Sequence, residues 1–424
     1  MLARNPSPLM SIASIILSMT AMAIGSGIMF TYVPFTLTQN DFPSWVAGAA
    51  VTAIPAGGFI GCLIAGPLIR RVGHARVFAC FAAFVILGNV LVALAIDGTI
   101  WIFARFLYGI AANGIFIVTQ SWLNHTSDNS WRGKAMSFFY MSYVLGLGVG
   151  ALVFGQLPNS AAAAPLIAIM AMAIGILPIG LTRLPAPPAP ERTSIDLRST
   201  WKISPVGVIG IAASGGLSML LQGFAPIYAT NTGFGQSDVA LLMFLMQLGM
   251  VVIQMPLGAL SDRIDRRLVL IITFVLIAVM ASLAAINPFT GLLLVALIFA
   301  IWSGATETVY SVAHAHANDR ADPDDFVTLA STMLVVWSAS AFVLPAAVTA
   351  LTPVYGPKIF MFAVILIALL TAGFVVLRLT QRAAVPDEET ENFGLRTAQA
   401  PNTEVYYDYA EGEDEEEPVV SLPS

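Results

Sequence analysis

The stretch VFACFAAFVILGNVLVALAI, from Val77 to Ile96, decides the fold class because it is apolar along almost its whole length. Its apolar residues do not alternate with polar ones, as they would in a membrane β-barrel strand of about 10 residues. A membrane-spanning α-helix needs roughly 20 consecutive apolar residues, and this stretch supplies them. The sequence therefore predicts an all-α membrane protein.

The composition of the whole chain supports the same interpretation. The 424 residues are 57% hydrophobic and only 10% charged, whereas a soluble domain is about 25% charged. So much apolar surface cannot be buried in a water-soluble core, so lipid must be the solvent for most of it. The two cysteines, Cys62 and Cys80, lie in apolar runs and indicate neither a disulfide framework nor a metal site.

Twelve apolar segments follow one another, with the Pro-rich stretch LPAPPAPERTSIDLRSTWK between the sixth and the seventh. This stretch predicts a linker between two six-helix halves. The segments lie near 9–35, 44–69, 77–96, 100–121, 135–156, 163–182, 205–229, 238–260, 268–286, 290–315, 327–350 and 357–379. We expect an N-terminal bundle at 1–183, a cytoplasmic linker at 184–203, a C-terminal bundle at 204–380 and a tail at 381–424.

The basic residues predict the orientation in the membrane. If the N-terminus is cytoplasmic, all 19 Lys and Arg residues except Arg105 and Lys358 fall on the cytoplasmic side. Both termini are therefore expected in the cytoplasm of a bacterium whose inner membrane holds the chain. The tail contains the acidic run EDEEE at 413–417. It is expected to be solvated and disordered, with a regulatory or partner-binding role as the alternative.

The two halves resemble each other at a nearly constant spacing. Pro34 in TYVPF matches Pro226 in GFAPI, and Gly66 in GPLIRRVGHAR matches Gly258 in GALSDRIDRRL, each 192 residues later. Two matched pairs at one spacing indicate a duplication, which is common among transporters whose substrate sites lie between the repeats.

The same segments resemble signatures of the major facilitator superfamily. GPLIRRVGHAR is similar to its loop 2–3 motif, GALSDRIDRRL to the second copy of that motif, and RFLYGIAA, from Arg105, to its span 4 motif. Within the superfamily, SWLNHTSDNSWRGKAMSFFYMSYVLG and GFAPIYATNTGFGQSDVALL resemble the bacterial YcaD-type transporters, which imply no particular substrate. The resemblance implies a twelve-helix transporter with two pseudo-symmetric bundles.

This sequence departs from the superfamily pattern at three places. Arg70 stands where the first loop motif has Asp, and Asp265 stands where the second copy has Gly. Span 5 reads GLGVGALVFG without the G-P pair of drug exporters, which argues against drug–proton antiport.

Polar residues at helical spacing predict the cavity wall. Spans 1, 4, 7 and 10 line the central cavity in the superfamily, and three of them carry such stripes here. The predicted cavity and coupling residues are Arg105, Asn113, Gln120, Ser218, Gln222, Ser303, Glu307, Tyr310 and His314. His314 lies near the inner mouth, where an interfacial histidine is the alternative interpretation.

Two charges inside the spans allow two interpretations each. Glu307 would cost of order 3 kcal/mol if it faced lipid, so it either lines a cavity as a protonatable carboxylate or is satisfied by a neighbouring helix. Arg105 is only about 8 Å from the outer end of its span. It either faces the cavity or extends to the outer interface.

The resemblance also implies a cytoplasmic gate, because in the superfamily loop 2–3 contacts the start of span 11 and loop 8–9 contacts the start of span 5. Here loop 2–3 is basic and the start of span 11 is acidic, whereas loop 8–9 contains Asp262 and the start of span 5 is basic. Each pair of facing segments carries opposite charges, and the first pair has the reverse of the superfamily's signs. Positive-inside bias and ordinary helix-end charges are the alternative explanation. The predicted gate residues are Gly66, Arg70, Arg71, Gly73, Arg132, Lys134, Gly258, Asp262, Arg263, Asp324 and Asp325.

These features predict a secondary transporter that moves a small solute by alternating access, as a monomer in the lipid bilayer. Protons are a candidate coupling ion through Glu307. An uncoupled facilitator and a non-transporting receptor or scaffold that signals through the acidic tail are the alternatives. No P-loop, metal cluster or nucleophile constellation is visible in the sequence, so we expect no enzyme activity, cofactor, metal or nucleic-acid partner.

Overall fold

The computed structural model describes residues 8–127, 129–158, 162–184, 187, 195–286, 291–322, 325–356 and 358–381. The tail beyond Gln381 and the predicted gate residue Asp324 lie outside these ranges. Within them the chain forms thirteen helices and no strand: α1 (Pro8–Gln39), α2 (Ser44–Val72), α3 (His74–Leu94), α4 (Gly98–Thr126), α5 (Asn129–Gln156), α6 (Ala163–Leu181), α7 (Leu197–Ile203), α8 (Pro205–Asn231), α9 (Gln236–Ser261), α10 (Arg266–Ile286), α11 (Leu292–Asn318), α12 (Phe326–Tyr355) and α13 (Ile359–Leu379).

Twelve of the described helices are long and apolar enough to cross a membrane, which confirms the predicted number of spans. Spans 1–6 correspond to α1–α6, and spans 7–12 correspond to α8–α13. Some helices extend beyond the apolar runs, because polar residues at a membrane surface still permit helical hydrogen bonding. For example, α4 continues to Thr126, five residues past its predicted span.

The stretch between the two halves contains a short helix, α7, in its C-terminal part. Asp196 caps α7 by accepting hydrogen bonds from the backbone N–H groups of Arg198 and Ser199, at 2.9 Å each. The indole ring of Trp201 lies 6.3 Å from the ring of Phe374 on α13. The helical part of the linker therefore packs against the C-terminal half of the chain.

The helices form two pseudo-symmetric six-helix bundles, and the same close helix pair recurs in each. In the first bundle, a Cβ on Gly57 of α2 would collide with the carbonyl oxygen of Phe106 on α4. In the second, a Cβ on Gly249 of α9 would collide with the carbonyl oxygen of Ala300 on α11. Small residues allow such close backbone approach between membrane helices. Gly57 and Gly249 are 192 residues apart, which is the spacing of the sequence repeat.

Two surfaces of the molecule need names. The linker face is the membrane face on which α1 begins, α13 ends and α7 lies. The far face is the opposite one, on which α2 and α9 begin and α5 and α12 end.

Candidate functional site: a cavity between the bundles

A cavity lies between the two bundles, and helices of both form its walls. The first bundle contributes α1, α2, α4 and α5, and the second contributes α8 and α12. Most of the lining is apolar, and none of the described lining residues is acidic. The polar or charged lining residues are Arg105, Tyr108, Asn113, Tyr143, Gln222 and Ser338.

Arg105 is the charged residue of this lining. Its side chain is only 2% exposed, so it does not extend to the membrane surface. The guanidinium carbon lies 5.0 Å from the ring centroid of Phe30 and 4.6 Å from that of Tyr108. Neither Nη1 nor Nη2 has a hydrogen-bond partner among the described residues.

The surroundings of Arg105 compensate its charge only in part. Removing an ion from water costs several kcal/mol even after the protein relaxes. A cation–π contact returns about 0.5 kcal/mol at exposed sites and about 2 kcal/mol when desolvated. Two aromatic rings therefore leave much of the cost unmet, and an unpaired buried cation that lines a cavity is typical of a binding site.

The sequence singled out Arg105 and Asn113 on α4 but missed the aromatic residues around them. Tyr108 follows Arg105 by three positions, so helical spacing could have identified it as a neighbour. Tyr143, on α5, also lines the cavity, and its ring lies 4.6 Å from the ring of Phe116. No local signal in the sequence shows that α5 places Tyr143 there, because this depends on how α4 and α5 pack.

Asn113 depends on a glycine in the neighbouring helix. A Cβ on Gly58 of α2 would lie 2.6 Å from Nδ2 of Asn113, so the amide fills space that any larger residue would occupy. The same Nδ2 atom is 3.6 Å from the sulfur of Cys62. The close packing of α2 on α4 therefore fixes the position of this polar group in the wall.

The stripe on α11 lies inside the second bundle and is not among the described residues that line the cavity. Glu307 is 1% exposed and accepts a hydrogen bond of 2.9 Å from Oγ of Ser218 on α8. Ser303 is fully buried, and the rings of Tyr310 and His314 lie 4.8 Å apart. In this structure Glu307 therefore has a hydrogen-bond partner on a neighbouring helix, and its role in the cavity stays a prediction.

The two predicted glutamines lie in different surroundings. Gln222 on α8 lines the cavity, and its Oε1 accepts a hydrogen bond of 3.0 Å from Gln247 on α9. Gln120 is buried and donates a hydrogen bond of 3.0 Å to the hydroxyl of Tyr140 on α5. Thus Arg105, Asn113 and Gln222 share the cavity, while Gln120 lies elsewhere within the first bundle.

On the far face the two bundles are in direct contact. A Cβ on Gly48 of α2 would lie 2.7 Å from Oγ1 of Thr349 on α12. Nε2 of Gln236, at the start of α9, donates hydrogen bonds to the carbonyl oxygens of Phe154 and Leu157 at 2.7 and 3.0 Å. Uncharged groups therefore hold this side of the cavity together.

A second set of close approaches extends this contact. A Cβ on Gly155 of α5 would lie 2.6 Å from the Cβ of Ala240 on α9. Nearer to the cavity, a Cβ on Gly223 of α8 would collide with the side chain of Val51 on α2. Both contacts join one bundle to the other.

On the linker face many predicted gate residues are exposed. Gly73, with a φ of 84°, occupies the left-handed region that glycine tolerates best, so it allows the sharp turn between α2 and α3. Gly66 and Asp325 are partly buried, and Gly258 and Arg132 are buried. The exposed charged gate residues are Arg70, Arg71, Lys134, Asp262 and Arg263. The predicted charge pairing across this face stays a prediction.

The linker face of the second bundle contains ion pairs that the sequence analysis did not identify. Nε of Arg266 lies 2.7 Å from Oδ2 of Asp319, and both side chains are buried. Nη2 of Arg267 lies 2.6 Å from Oδ2 of Asp265. Burial opposes ionisation of Asp265, but the hydrogen bonds and charge of Arg267 outweigh it and lower the pKa of that carboxyl.

Comparisons with known proteins agree with this architecture. A family model described as Major Facilitator Superfamily matches residues 14–206 and 206–405. An "Uncharacterized MFS-type transporter" of Yersinia pestis (strain Pestoides F) is 26% identical over 373 residues, which cover 86% of this chain and 93% of the relative. The "Uncharacterized MFS-type transporter YcaD" of Escherichia fergusonii is 26% identical over 341 residues, 80% of this chain and 87% of the relative.

Solved structures share the fold. The crystal structure of the POT family transporter PepTSo superimposes with a TM-score of 0.71, covering 88% of this chain and 98% of that one. Its sequence is only 13% identical, so this likeness concerns the fold alone.

Proposed function

Because the chain belongs to the Major Facilitator Superfamily and is a membrane transporter, we propose that it moves a small solute by alternating access through the cavity between its bundles. The observation that carries this proposal is the position of the cavity. Both bundles line it, so a rocking motion of one bundle against the other would expose it to either face of the membrane.

The contacts between the bundles support an inward-facing assignment for this conformation. Gly48 and Gly155 on the far face, and Gly223 between that face and the cavity, all approach the opposite bundle closely. On the linker face, by contrast, most charged gate residues are exposed. We assign the linker face to the cytoplasm, since it carries most of the Lys and Arg residues of the chain.

The proposed domain organisation follows the same division. The bundles at 1–183 and 204–380 would move as two bodies, joined by the cytoplasmic linker at 184–203. The tail from residue 381 would follow the second bundle into the cytoplasm. A reporter fused at residue 395 should therefore report a cytoplasmic location, and an external location would contradict the assignment.

Solute flux into proteoliposomes tests the transport proposal directly. Purified protein should accelerate uptake of at least one small solute, and counterflow of that solute should exceed the rate in protein-free liposomes. Protein that is folded, as judged by a cooperative unfolding transition, and carries no solute would contradict transport. That outcome would favour the receptor or scaffold alternative.

Proton coupling through Glu307 is the finer part of the proposal. The support is a buried carboxylate within the membrane-spanning part of the second bundle, which accepts a hydrogen bond from Ser218. Glu307 is in the second bundle and is not among the described cavity-lining residues. This observation favours the second candidate, an uncoupled facilitator.

The variant Glu307→Gln separates these two candidates. Its Oε1 atom could still accept the hydrogen bond from Ser218, so we expect the fold to survive. Coupled transport driven by a pH gradient should be lost, while counterflow, which needs no net proton movement, should persist. Ser218→Ala is the matched control, since it removes the donor but keeps the carboxylate. Unchanged pH dependence in Glu307→Gln would contradict coupling through Glu307 and favour the facilitator.

A further inference from the structure

Unpartnered hydrogen-bond donors occur on both walls of the cavity. Nη1 and Nη2 of Arg105 have no hydrogen-bond partner among the described residues, and the same holds for Nε1 of Trp337. Both side chains line the cavity, and they are only 2% and 5% exposed. Arg105 belongs to α4 of the first bundle and Trp337 to α12 of the second. Each therefore has hydrogen-bonding capacity that a ligand could use.

Two other polar side chains of the lining, Tyr108 and Gln222, are already engaged within the protein. The hydroxyl of Tyr108 donates a hydrogen bond of 2.7 Å to Oγ of Ser26. Oε1 of Gln222 accepts one of 3.0 Å from Gln247. Oγ of the lining residue Ser338 also has no hydrogen-bond partner among the described residues, but a hydroxyl can both donate and accept. The open capacity of Arg105 and Trp337 is that of donors only, and Arg105 carries a full positive charge.

The charges around the cavity disfavour a cationic ligand. None of the described lining residues is acidic, and in the part of the chain that the structure describes Arg105 forms no ion pair. Glu307, on α11, instead accepts a hydrogen bond from Ser218. A cation that entered would meet an unpaired guanidinium, whereas an anion would supply the missing partner.

We propose that the cavity binds a small organic anion whose carboxylate accepts hydrogen bonds from Nη1 and Nη2 of Arg105. The two Nη atoms form a planar fork that matches the two oxygens of a carboxylate. The apolar body of the ligand lies against apolar lining residues such as Val33, Ile54 and Met219. With a single cationic side chain in the described lining, the site selects a monoanion.

This inference rests on the proposed function, because the cavity that transports the solute is also the binding site. It adds a role for Trp337, whose indole N–H donates to a second acceptor where the ligand carries one. An anion held by Arg105 on one side and Trp337 on the other links the two bundles. Binding would then favour conformations in which the two walls approach each other.

A panel of matched ligands tests the charge of the substrate. The full-length protein in nanodiscs is unfolded thermally with millimolar benzoate, phenylacetate or hexanoate. Benzamide and benzylamine serve as the neutral and cationic counterparts of benzoate. At least one carboxylate should raise the unfolding temperature with saturation, and the amide and amine should not. The proposal would be overturned if benzylamine raised the unfolding temperature as much as benzoate does. It would also be overturned if none of the carboxylates raised it.

Variants of Arg105 test the contact. Arg105→Gln removes the charge, so carboxylate affinity should fall at least about tenfold, and Arg105→Lys should lie between it and the wild type because it lacks the fork. The ligand-free Arg105→Gln protein should be at least as stable as the wild type, since it no longer buries an unpaired cation. A purely structural arginine would give the opposite result. Arg76→Gln, at an exposed linker-face position, is the control and should bind normally.

Flux measurements separate this inference from the transport proposal. Carboxylate binding that depends on Arg105, without flux of any bound anion, would contradict transport and support the anion site. Flux of a neutral or cationic solute that is unchanged in Arg105→Gln would support transport and overturn the anion site. Arg105→Gln that retains carboxylate affinity would overturn it as well.

Discussion

The two faces of the molecule contrast in how they are equipped to hold the bundles together. On the far face, Gly48 and Gly155 allow helices of opposite bundles to touch, and the hydrogen bonds there are uncharged. On the linker face, exposed charges of both signs occupy the segments predicted to meet, such as Arg70 and Asp262. Packing acts only at contact, whereas charges act over about 10 Å at 0.1 M salt. We therefore expect the far face to respond to changes of shape and the linker face to changes of charge and salt.

Locking the far face should have the largest effect. In the double variant Gly155→Cys with Ala240→Cys, the two Cβ atoms would start 2.6 Å apart. A disulfide needs about 3.5–4.5 Å between its Cβ atoms, so α5 and α9 must separate by about 1 Å for the bond to form. The oxidised double variant should lose nearly all transport, because the far face can no longer open. Reduction should restore it, and each single variant should transport under both conditions. Full transport by the cross-linked protein would contradict alternating access.

Enlarging a far-face glycine should have a smaller effect. Gly223→Val adds atoms that collide with Val51, and overpacking costs typically about 1–3 kcal/mol. Because about 1.4 kcal/mol shifts a population tenfold, the far face should open roughly tenfold more often. The readout is labelling, from each side of the membrane, of a cysteine introduced at the cavity residue Ala112. Gly373→Val has open space around it and should leave labelling unchanged. Equal labelling in both variants would contradict the packing account.

Charge reversal should disturb the linker face by a few-fold. Arg70→Asp or Asp325→Arg alone would place like charges together in the closed gate, so the inward-open population should rise. The combined variant should partly restore the balance, because the Coulomb energy depends on the product of the two charges. Exposed pairs contribute about 0.2–1 kcal/mol each, which sets the scale. The wild type, the two single variants and the double variant form a double-mutant cycle, in which transport and cysteine labelling are measured. Arg198→Asp on α7 is the control.

Salt distinguishes the two outcomes of that cycle. The Debye length falls to about 3 Å at 1 M, so high salt should weaken the effect of Arg70→Asp but leave that of Gly223→Val unchanged. Strictly additive charge variants would mean that the two segments do not meet. Positive-inside bias and helix-end preference would then explain these charges. The same cycle can be repeated with Asp324.

The smallest expected effect concerns the ion pair between Asp265 and Arg267, which lies within the second bundle. The pKa of Asp265 is lowered, so its contribution to stability is present above the unfolded-state pKa of about 3.9 and is lost as the pH falls through the lower, folded-state value. Asp265→Asn should therefore lower the stability near neutral pH by about 0.2–1 kcal/mol. The difference from the wild type should vanish in acid. Unfolding of both proteins across this pH range measures it, with exposed Asp322→Asn as the control. A difference that persists in acid would contradict a role for the charge.

The fold could be predicted from the sequence because each membrane-spanning helix is a long apolar run, which is recognisable without knowing which helices pack against it. The wall of the cavity could be predicted only where a residue's own helix decides its position. Arg105, Asn113 and Gln222 line the cavity between the bundles, and their role in binding a solute stays a prediction. The residues of the stripe through Glu307 do share one face of α11, but their spacing cannot show whether this face lines the cavity or packs against α8. Trp337 has no distinguishing signal, since its role depends on how α12 packs against the first bundle.

The close approach of α2 and α4 turns α2 into a lever. Backbone contact at Gly57 ties α2 to α4, and α2 runs as one helix from the cavity wall around Ile54 to the gate at Arg70, with Pro55 and Pro67 each removing one backbone hydrogen bond on the way. These two positions are about 24 Å apart at 1.5 Å per residue. A tilt of α2 that displaces the cavity wall by a fraction of an ångström therefore produces a larger displacement at Arg70, on the linker face. The mechanical advantage of one long helix can thus convert a slight tightening around a solute into separation or contact at the cytoplasmic surface.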